Sequence, residues 1–289
     1  MLSPTPYAEL NEVLAELLTG ARSALGTNFV GAYLQGSFAI GDYSEFSDCD
    51  FIVVTEKDLS EQELEALRGL HHRLYRLPSP YWPRNIEGSY APRAILRRWS
   101  TEPRDPPGEP RAAQWGDPGM DGAPPRCYPL WYLPHGSDVL VRSEHDNSQV
   151  VRWTLRERGV TLAGPTPAEL IDPIDPADLK AEVRATLDLA LQTGLAMPIA
   201  ALQTFWVGLC CRILHTIETG RITSKKEAMG WAQATLPAQW QPLIAHALTQ
   251  KKGDPAQAQA PVAAELAAQT RAFVQTCADL ADQGLQRQR

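Results

Sequence analysis

The feature that most constrains this chain is a short polar passage held between two apolar strands. Phe29 to Leu34 is rich in β-formers and gives way to Gly36-Ser37; after ten further residues, Asp48-Cys49-Asp50 runs directly into Phe51-Ile52-Val53-Val54. Gly36 lets the backbone approach an anion closely, and Ser37, where the strand yields to a turn and a short helix, can offer its hydroxyl and backbone N–H groups to phosphate oxygens. Asp48 and Asp50 stand two apart at the start of a strand, so the period of two puts both carboxylates on one face, where they can share hard divalent cations. Alone, Gly-Ser is usually a turn and Asp-x-Asp an Asx-turn or a solvated strand edge. Together, at this spacing, they describe a site for a magnesium-bound triphosphate. No Gly-Lys-Ser/Thr follows, so the passage is not a Walker loop.

The rest of the first half frames this passage. Leu10, Val13, Leu14, Leu17 and Leu18 recur at helical spacing in a helix that should end near Gly20 or shortly after, and Leu64, Leu67, Leu70 and Leu74 place a second helix over 61–77. A third strand is expected around Ile86. From Thr101 to Pro125 the composition turns to Pro, Gly, Arg, Asp and Glu, which reads as a flexible surface insertion. The turn Gly164-Pro165-Thr166-Pro167 is the expected domain boundary, dividing the chain into 1–163 and 164–289. Beyond it only helical periods occur, at about 176–192, 199–219, 224–235, 237–250 and 258–283.

Composition excludes several function classes. The 289 residues suffice for two domains, and 44% apolar content supports real cores. A net charge of −7, from 27 basic and 34 acidic side chains without a dense basic cluster, argues against a nucleic-acid binder. The sequence offers no uncharged apolar stretch of about 20 residues and no signal peptide, so a cytoplasmic protein with no membrane partner is expected. Five irregularly spaced cysteines form neither a disulfide framework nor a metal motif and are read as reduced thiols.

The run Gly36 to Val54 resembles the signature of the nucleotidyltransferase superfamily with the DNA polymerase β-like catalytic fold. The resemblance extends into the second half through Gly159 to Pro165, Leu209 to Leu214, Thr219 to Lys225 and Trp231 to Pro242, which look like the bacterial adenylyltransferases of streptomycin and spectinomycin. It implies an α+β chain: a nucleotidyltransferase domain with a small mixed sheet, followed by an α-helical bundle, with the active site between them. It further implies ATP as co-substrate and Mg2+ as cofactor. Gly36, Ser37 and Ser47 then serve the nucleotide, Asp48 and Asp50 the metal, and Glu87 acts as general base on an acceptor hydroxyl. Arg212 and Lys225 match the family's arginine and lysine that reach the nucleotide phosphates. A triphosphate brings more negative charge than Mg2+ neutralises against two carboxylates, which gives those cations a physical purpose.

An aminoglycoside or aminocyclitol such as spectinomycin is the expected acceptor; the chain departs from the streptomycin-modifying pattern in the loop 192–199, which lacks the Trp and acidic residues of those relatives, and this argues against streptomycin. Two alternatives remain open at this level: transfer to a protein or unknown metabolite hydroxyl, and a nucleotide-binding module without turnover. A monomer is expected. Other conspicuous residues have plainer readings. His71-His72 lies on a partly exposed helix face, Asp146 suits a helix N-cap beside His145, and Cys49 is a core thiol. Arg97-Arg98 is a solvated face, Glu87 could pair structurally with Arg84 or Arg93, and Trp131 and Tyr132 could wall a substrate cleft.

Overall fold

Alternation along neighbouring strands decides how the first half of the chain folds. The elements run α1 (Ala8–Leu25), β1 (Phe29–Leu34), α2 (Gly36–Ile40), β2 (Cys49–Thr55), α3 (Glu61–Tyr75), β3 (Ile86–Pro92) and α4 (Arg93–Arg97). They continue with β4 (Leu130–Leu133), β5 (Val141–Ser143), α5 (Gln149–Arg158), β6 (Val160–Ala163) and α6 (Pro167–Leu170). The six strands form one mixed sheet in the order β5-β4-β3-β2-β1-β6, with β2 and β3 parallel and every other pair antiparallel. Cys49, Phe51 and Val53 of β2, with Ile86 and Tyr90 of β3 and Trp131 and Leu133 of β4, join one apolar cluster with the buried leucines of α1 and α3. Period two then sends Asp50, Glu87, Ser89 and Tyr132 to the opposite face. The computed structural model describes residues 3–100, 127–192, 195, 197–250 and 255–286; the insertion read at 101–125 and part of the loop 192–199 lie outside them.

Helix α1 runs past Gly20 and ends shortly after it, at Leu25. Gly20 is a contact point: a Cβ there would lie 2.3 Å from a methyl carbon of Leu70, so the missing side chain lets α1 and α3 approach. Ser60 and Glu63 form a capping box that starts α3. On α3, His71 is not part of an exposed face. It is buried against Phe51 with its Nε2 2.8 Å from the Tyr90 hydroxyl, and burial lowers its pKa to about 3, so it is a neutral core residue. Only His72 is exposed, beside Asp138 at 2.9 Å.

The chain divides into units Met1–Pro173 and Ile174–Arg289. The segment after the Gly164 turn is fastened to the first unit: Arg156 donates to the carbonyls of Ala168 and Ile171, and Asp172 receives Arg97 and Arg98. Arg97 and Arg98 are thus an exposed clamp on that carboxylate.

The second unit is helical: α7 (Pro176–Gln192), α8 (Ala200–Thr219), α9 (Lys225–Thr235), α10 (Gln241–Thr249), α11 (Pro255–Gln259) and α12 (Ala264–Gln286). The continuous helix expected at 258–283 is broken, because Pro261 pairs with Ile199 in an isolated bridge between α11 and α12. Helix α8 is the hub, packed against α7, α9, α10 and α12. Among the described residues it is the one helix long and apolar enough to cross a membrane, yet half of that window is buried within the protein, as befits the central helix of a bundle.

Candidate active site

The turn from β1 into α2 is built around a conformation that only glycine holds at ease. Gly36 has φ +58°, and a Cβ on it would lie 2.0 Å from Oδ2 of Asp50, so the Asp50 carboxyl rests directly against the glycine backbone. The preceding Gln35 ties the two strands together: its N–H donates to the Asp50 carbonyl at 2.9 Å. Ser37 follows, and its Oγ is a buried polar atom without a hydrogen-bond partner among the described residues. An unpaired hydroxyl in such a place costs stability unless a ligand supplies the partner.

Asp50 stands opposite Glu87 in the parallel register of β2 and β3. Asp48, exposed just before β2, offers a ligand atom that lies within 4.8 Å of ligand atoms on Glu87 and on His135, in the loop after β4. Asp50 is outside that set of three, although it faces Asp48 and Glu87 electrostatically. Ser47 is fully buried and serves the turn, its Oγ accepting the Ser44 N–H at 2.9 Å.

Glu87 is buried and has neither Arg84 nor Arg93 as its partner. Tyr132 donates its hydroxyl to Oε1, and His145 places Nε2 3.3 Å from the same oxygen. Asp146 is fully buried and is not the helix cap: Ser148 caps α5, while Asp146 accepts Ser89 Oγ at 2.7 Å and Gln35 Nε2 at 3.1 Å. Sequence reasoning missed Asp146, His145 and His135 as site members, and took Tyr132 as a wall. Tyr132 shares the face of Glu87 in the antiparallel pairing of β3 and β4, a register that strand period alone does not give.

Neighbouring carboxylates here are pushed apart. Burial raises the Asp50 pKa to about 8, helped by the charges of Asp48, Glu87 and Asp146 and opposed by His145. Asp146 is raised as well, first by burial, with His145 and the Ser89 hydrogen bond pulling the other way. Burial also acts to raise Glu87, but the hydrogen bonds of His145 and Tyr132, with the charges of His145 and His135, outweigh it and hold Glu87 below the usual carboxylate range. The cluster therefore contains one carboxylate that stays ionised and one that waits for a positive charge before it ionises at neutral pH.

In the second unit, Ser224 caps α9 and Lys225 is its first residue. The lysine stem passes 3.7 Å from the position a Gly208 Cβ would take, and Nζ lies 5.8 Å from the Phe205 ring centre. Phe205, Gly208 and Arg212 follow helical spacing on α8, so Arg212 shares the stripe of α8 against which the Lys225 stem of α9 lies.

Comparison with known proteins accounts for both units. The nucleotidyltransferase domain profile matches residues 16–99, and the aminoglycoside adenylyltransferase C-terminal domain profile matches 169–278. The chain thus joins a nucleotidyltransferase domain to a C-terminal domain of the aminoglycoside adenylyltransferase type. Aminoglycoside (3'') (9) adenylyltransferases of Klebsiella pneumoniae and Escherichia coli are each 37% identical over 92 residues, which span 32% of this chain and 34% of each relative. That of Rhizobium radiobacter is 34% identical over 99 residues, 32% of this chain and 33% of its own. The match thus spans about a third of the length of these curated relatives. The spectinomycin adenyltransferase of Enterococcus faecialis, crystallised with ATP and spectinomycin, shares the fold at a TM-score of 0.65 and 17% identity, covering 93% of this chain and 98% of that one. The α+β class expected from the sequence is borne out.

Proposed function

We propose that the protein transfers AMP from ATP to a hydroxyl of a small aminoglycoside or aminocyclitol, with spectinomycin the leading acceptor. The observation that carries this reading is the convergence of Asp48, Asp50 and Glu87 beside the unpartnered hydroxyl of Ser37, within the nucleotidyltransferase domain. The printed activities of the relatives and the ligands of the spectinomycin adenyltransferase crystal support the acceptor class.

Each part of the reaction falls to residues with suitable chemistry. Ser37 Oγ finds its missing partner on a phosphate oxygen, and Gly36 leaves room for the Asp50 carboxyl beside it. Asp48 and Asp50 would hold a divalent cation, with His135 within reach of Asp48, and Mg2+ there would supply charge neutralisation for the triphosphate. Arg212 and Lys225 add positive charge from the helical unit. Glu87, ionised below the usual range, accepts the proton of the acceptor hydroxyl. The acceptor oxygen forms a bond to the α-phosphorus as the bond to the bridging oxygen of pyrophosphate breaks, and pyrophosphate leaves with that electron pair. In this reading the enzyme is a cytoplasmic monomer without nucleic-acid or membrane partners.

Incubation with ATP, Mg2+ and a panel of aminoglycosides and aminocyclitols, followed by mass spectrometry, tests the proposal. An adenylylated acceptor together with pyrophosphate is expected. ATP bound without any adenylylated product, across that panel and a metabolite panel, would leave only a nucleotide-binding module.

A further inference from the structure

Glu87 is gripped on one side. The Tyr132 hydroxyl and His145 Nε2 converge on the same oxygen, Oε1, and the two rings stack at 4.8 Å with 23° between their planes, so each ring packs against the other as it faces Glu87. Tyr132 is anchored in β4 and buried, whereas His145 stands on the loop before α5 with about half of its side chain exposed. The next residue, Asp146, is pinned by Ser89 and Gln35, which fixes the loop that carries the imidazole.

We infer that Tyr132 and His145 are positioning residues that engage Oε1 of Glu87 and thereby reserve Oε2 as the oxygen that takes the acceptor's proton. The inference rests on the adenylyl-transfer reading above. Two donors on one oxygen occupy its lone-pair directions and fix the carboxylate plane, and a base must lie within hydrogen-bond reach of the proton that it removes. A carboxylate free to rotate would present either oxygen and spend part of its time turned away from the acceptor. The stacked pair also explains how a buried carboxylate among Asp48, Asp50 and Asp146 can serve as a base without first being neutralised.

The test compares Tyr132→Phe, His145→Ala and His145→Gln with wild type and Glu87→Gln, with folding checked by circular dichroism and the nucleotide step read separately as KM for ATP. Tyr132→Phe removes one oxygen and His145→Ala truncates a half-exposed side chain, so both should fold. Each should lower kcat roughly tenfold to a hundredfold, the usual worth of groups that orient a reacting side chain, while KM for ATP stays nearly constant. His145→Gln retains an N–H at a similar reach and should recover most of the loss. Wild-type turnover that is lost in Glu87→Gln but kept in Tyr132→Phe and His145→Ala overturns this inference and leaves the proposed function standing. A His145→Gln variant as slow as His145→Ala, or losses that appear in KM for ATP alone, also overturn it. Absence of turnover in wild type overturns the functional reading and, with it, this inference.

Discussion

The two units treat buried acidic groups in opposite ways. In the helical unit, the buried polar side chains among the described residues are Gln203, Thr216, Thr223 and Thr270, all uncharged and all satisfied: Gln203 donates to Thr270 at 2.9 Å, Thr216 and Thr270 donate to carbonyls one turn back at 2.8 Å, and Thr223 donates to Glu227. In the sheet unit, Glu87 and Asp146 are buried with Asp50 beside them, three acidic side chains on one side of the sheet, and the Ser37 hydroxyl is left unpaired. The bundle has no buried acidic cluster to balance, although the indole N–H groups of Trp206 and Trp240 have no hydrogen-bond partner among the described residues. The sheet face has one, and like charges brought together out of water cost stability unless positive charge is added. The difference teaches where ligand charge belongs, and it ties stability and function in the first unit to the same residues.

The largest expected effect comes from removing that charge pattern. Asp48→Asn and Asp50→Asn should each lower adenylyl transfer by roughly 10²- to 10⁴-fold, since cation-assisted charge neutralisation is worth several kcal/mol and about 1.4 kcal/mol is tenfold. Activity near wild type in either variant would break the assignment of the sheet face as the metal site. Next in size is the helical unit's contribution. Lys225→Ala should weaken ATP binding in the presence of Mg2+ by roughly tenfold to a hundredfold, the worth of a charge-assisted hydrogen bond; unchanged affinity by calorimetry would make Lys225 only a cation over Phe205.

A smaller effect concerns pH. Asp50 is raised to about 8 in the folded state, and Asp146 is raised too, so their contribution to stability is full below the ordinary carboxylate range and is lost as pH rises through the folded values. Glu87 is lowered, so its own contribution runs the other way and is lost only as pH falls into the acid range. Metal-free protein should therefore lose melting temperature between about pH 5 and 8.5, by roughly 2–4 °C for each 1 kcal/mol lost. Asp50→Asn should flatten that slope, and Mg2+ should restore stability increasingly as pH rises. Hydrogen exchange sharpens the comparison: the pH-dependent opening should sit in β2 and β3 and spare α8 and α12. A slope shared equally by both units would dissolve the distinction between them.

Much of this was legible in the sequence because it is local. Strand alternation put Asp50 and the Cys49 thiol on opposite faces, the leucine spacing gave α1 and α3, and Gly36-Ser37 marked the turn. What escaped was long-range. Asp146 lies far along the chain from Gln35 and Ser89, and nothing beside it in sequence shows that β5 and α5 return it beneath the sheet. His71 and His72 look alike in sequence, yet helix phase buries one against Tyr90 and leaves the other by Asp138. Gly20 reads as a helix stop and is instead a helix contact, because a glycine's purpose depends on what packs against it.

The central claim is that Glu87 moves a proton and the residues around it hold the nucleotide. Glu87→Gln keeps the shape and removes the proton acceptor, so the direct measurement is turnover and ATP affinity in that single variant, with Mg2+ present. Turnover should fall by roughly 10²- to 10⁴-fold, the range for a positioned general base, with ATP affinity nearly unchanged. Full turnover would show that the acceptor's proton goes elsewhere, and loss of ATP binding together with turnover would make Glu87 a metal or structural carboxylate.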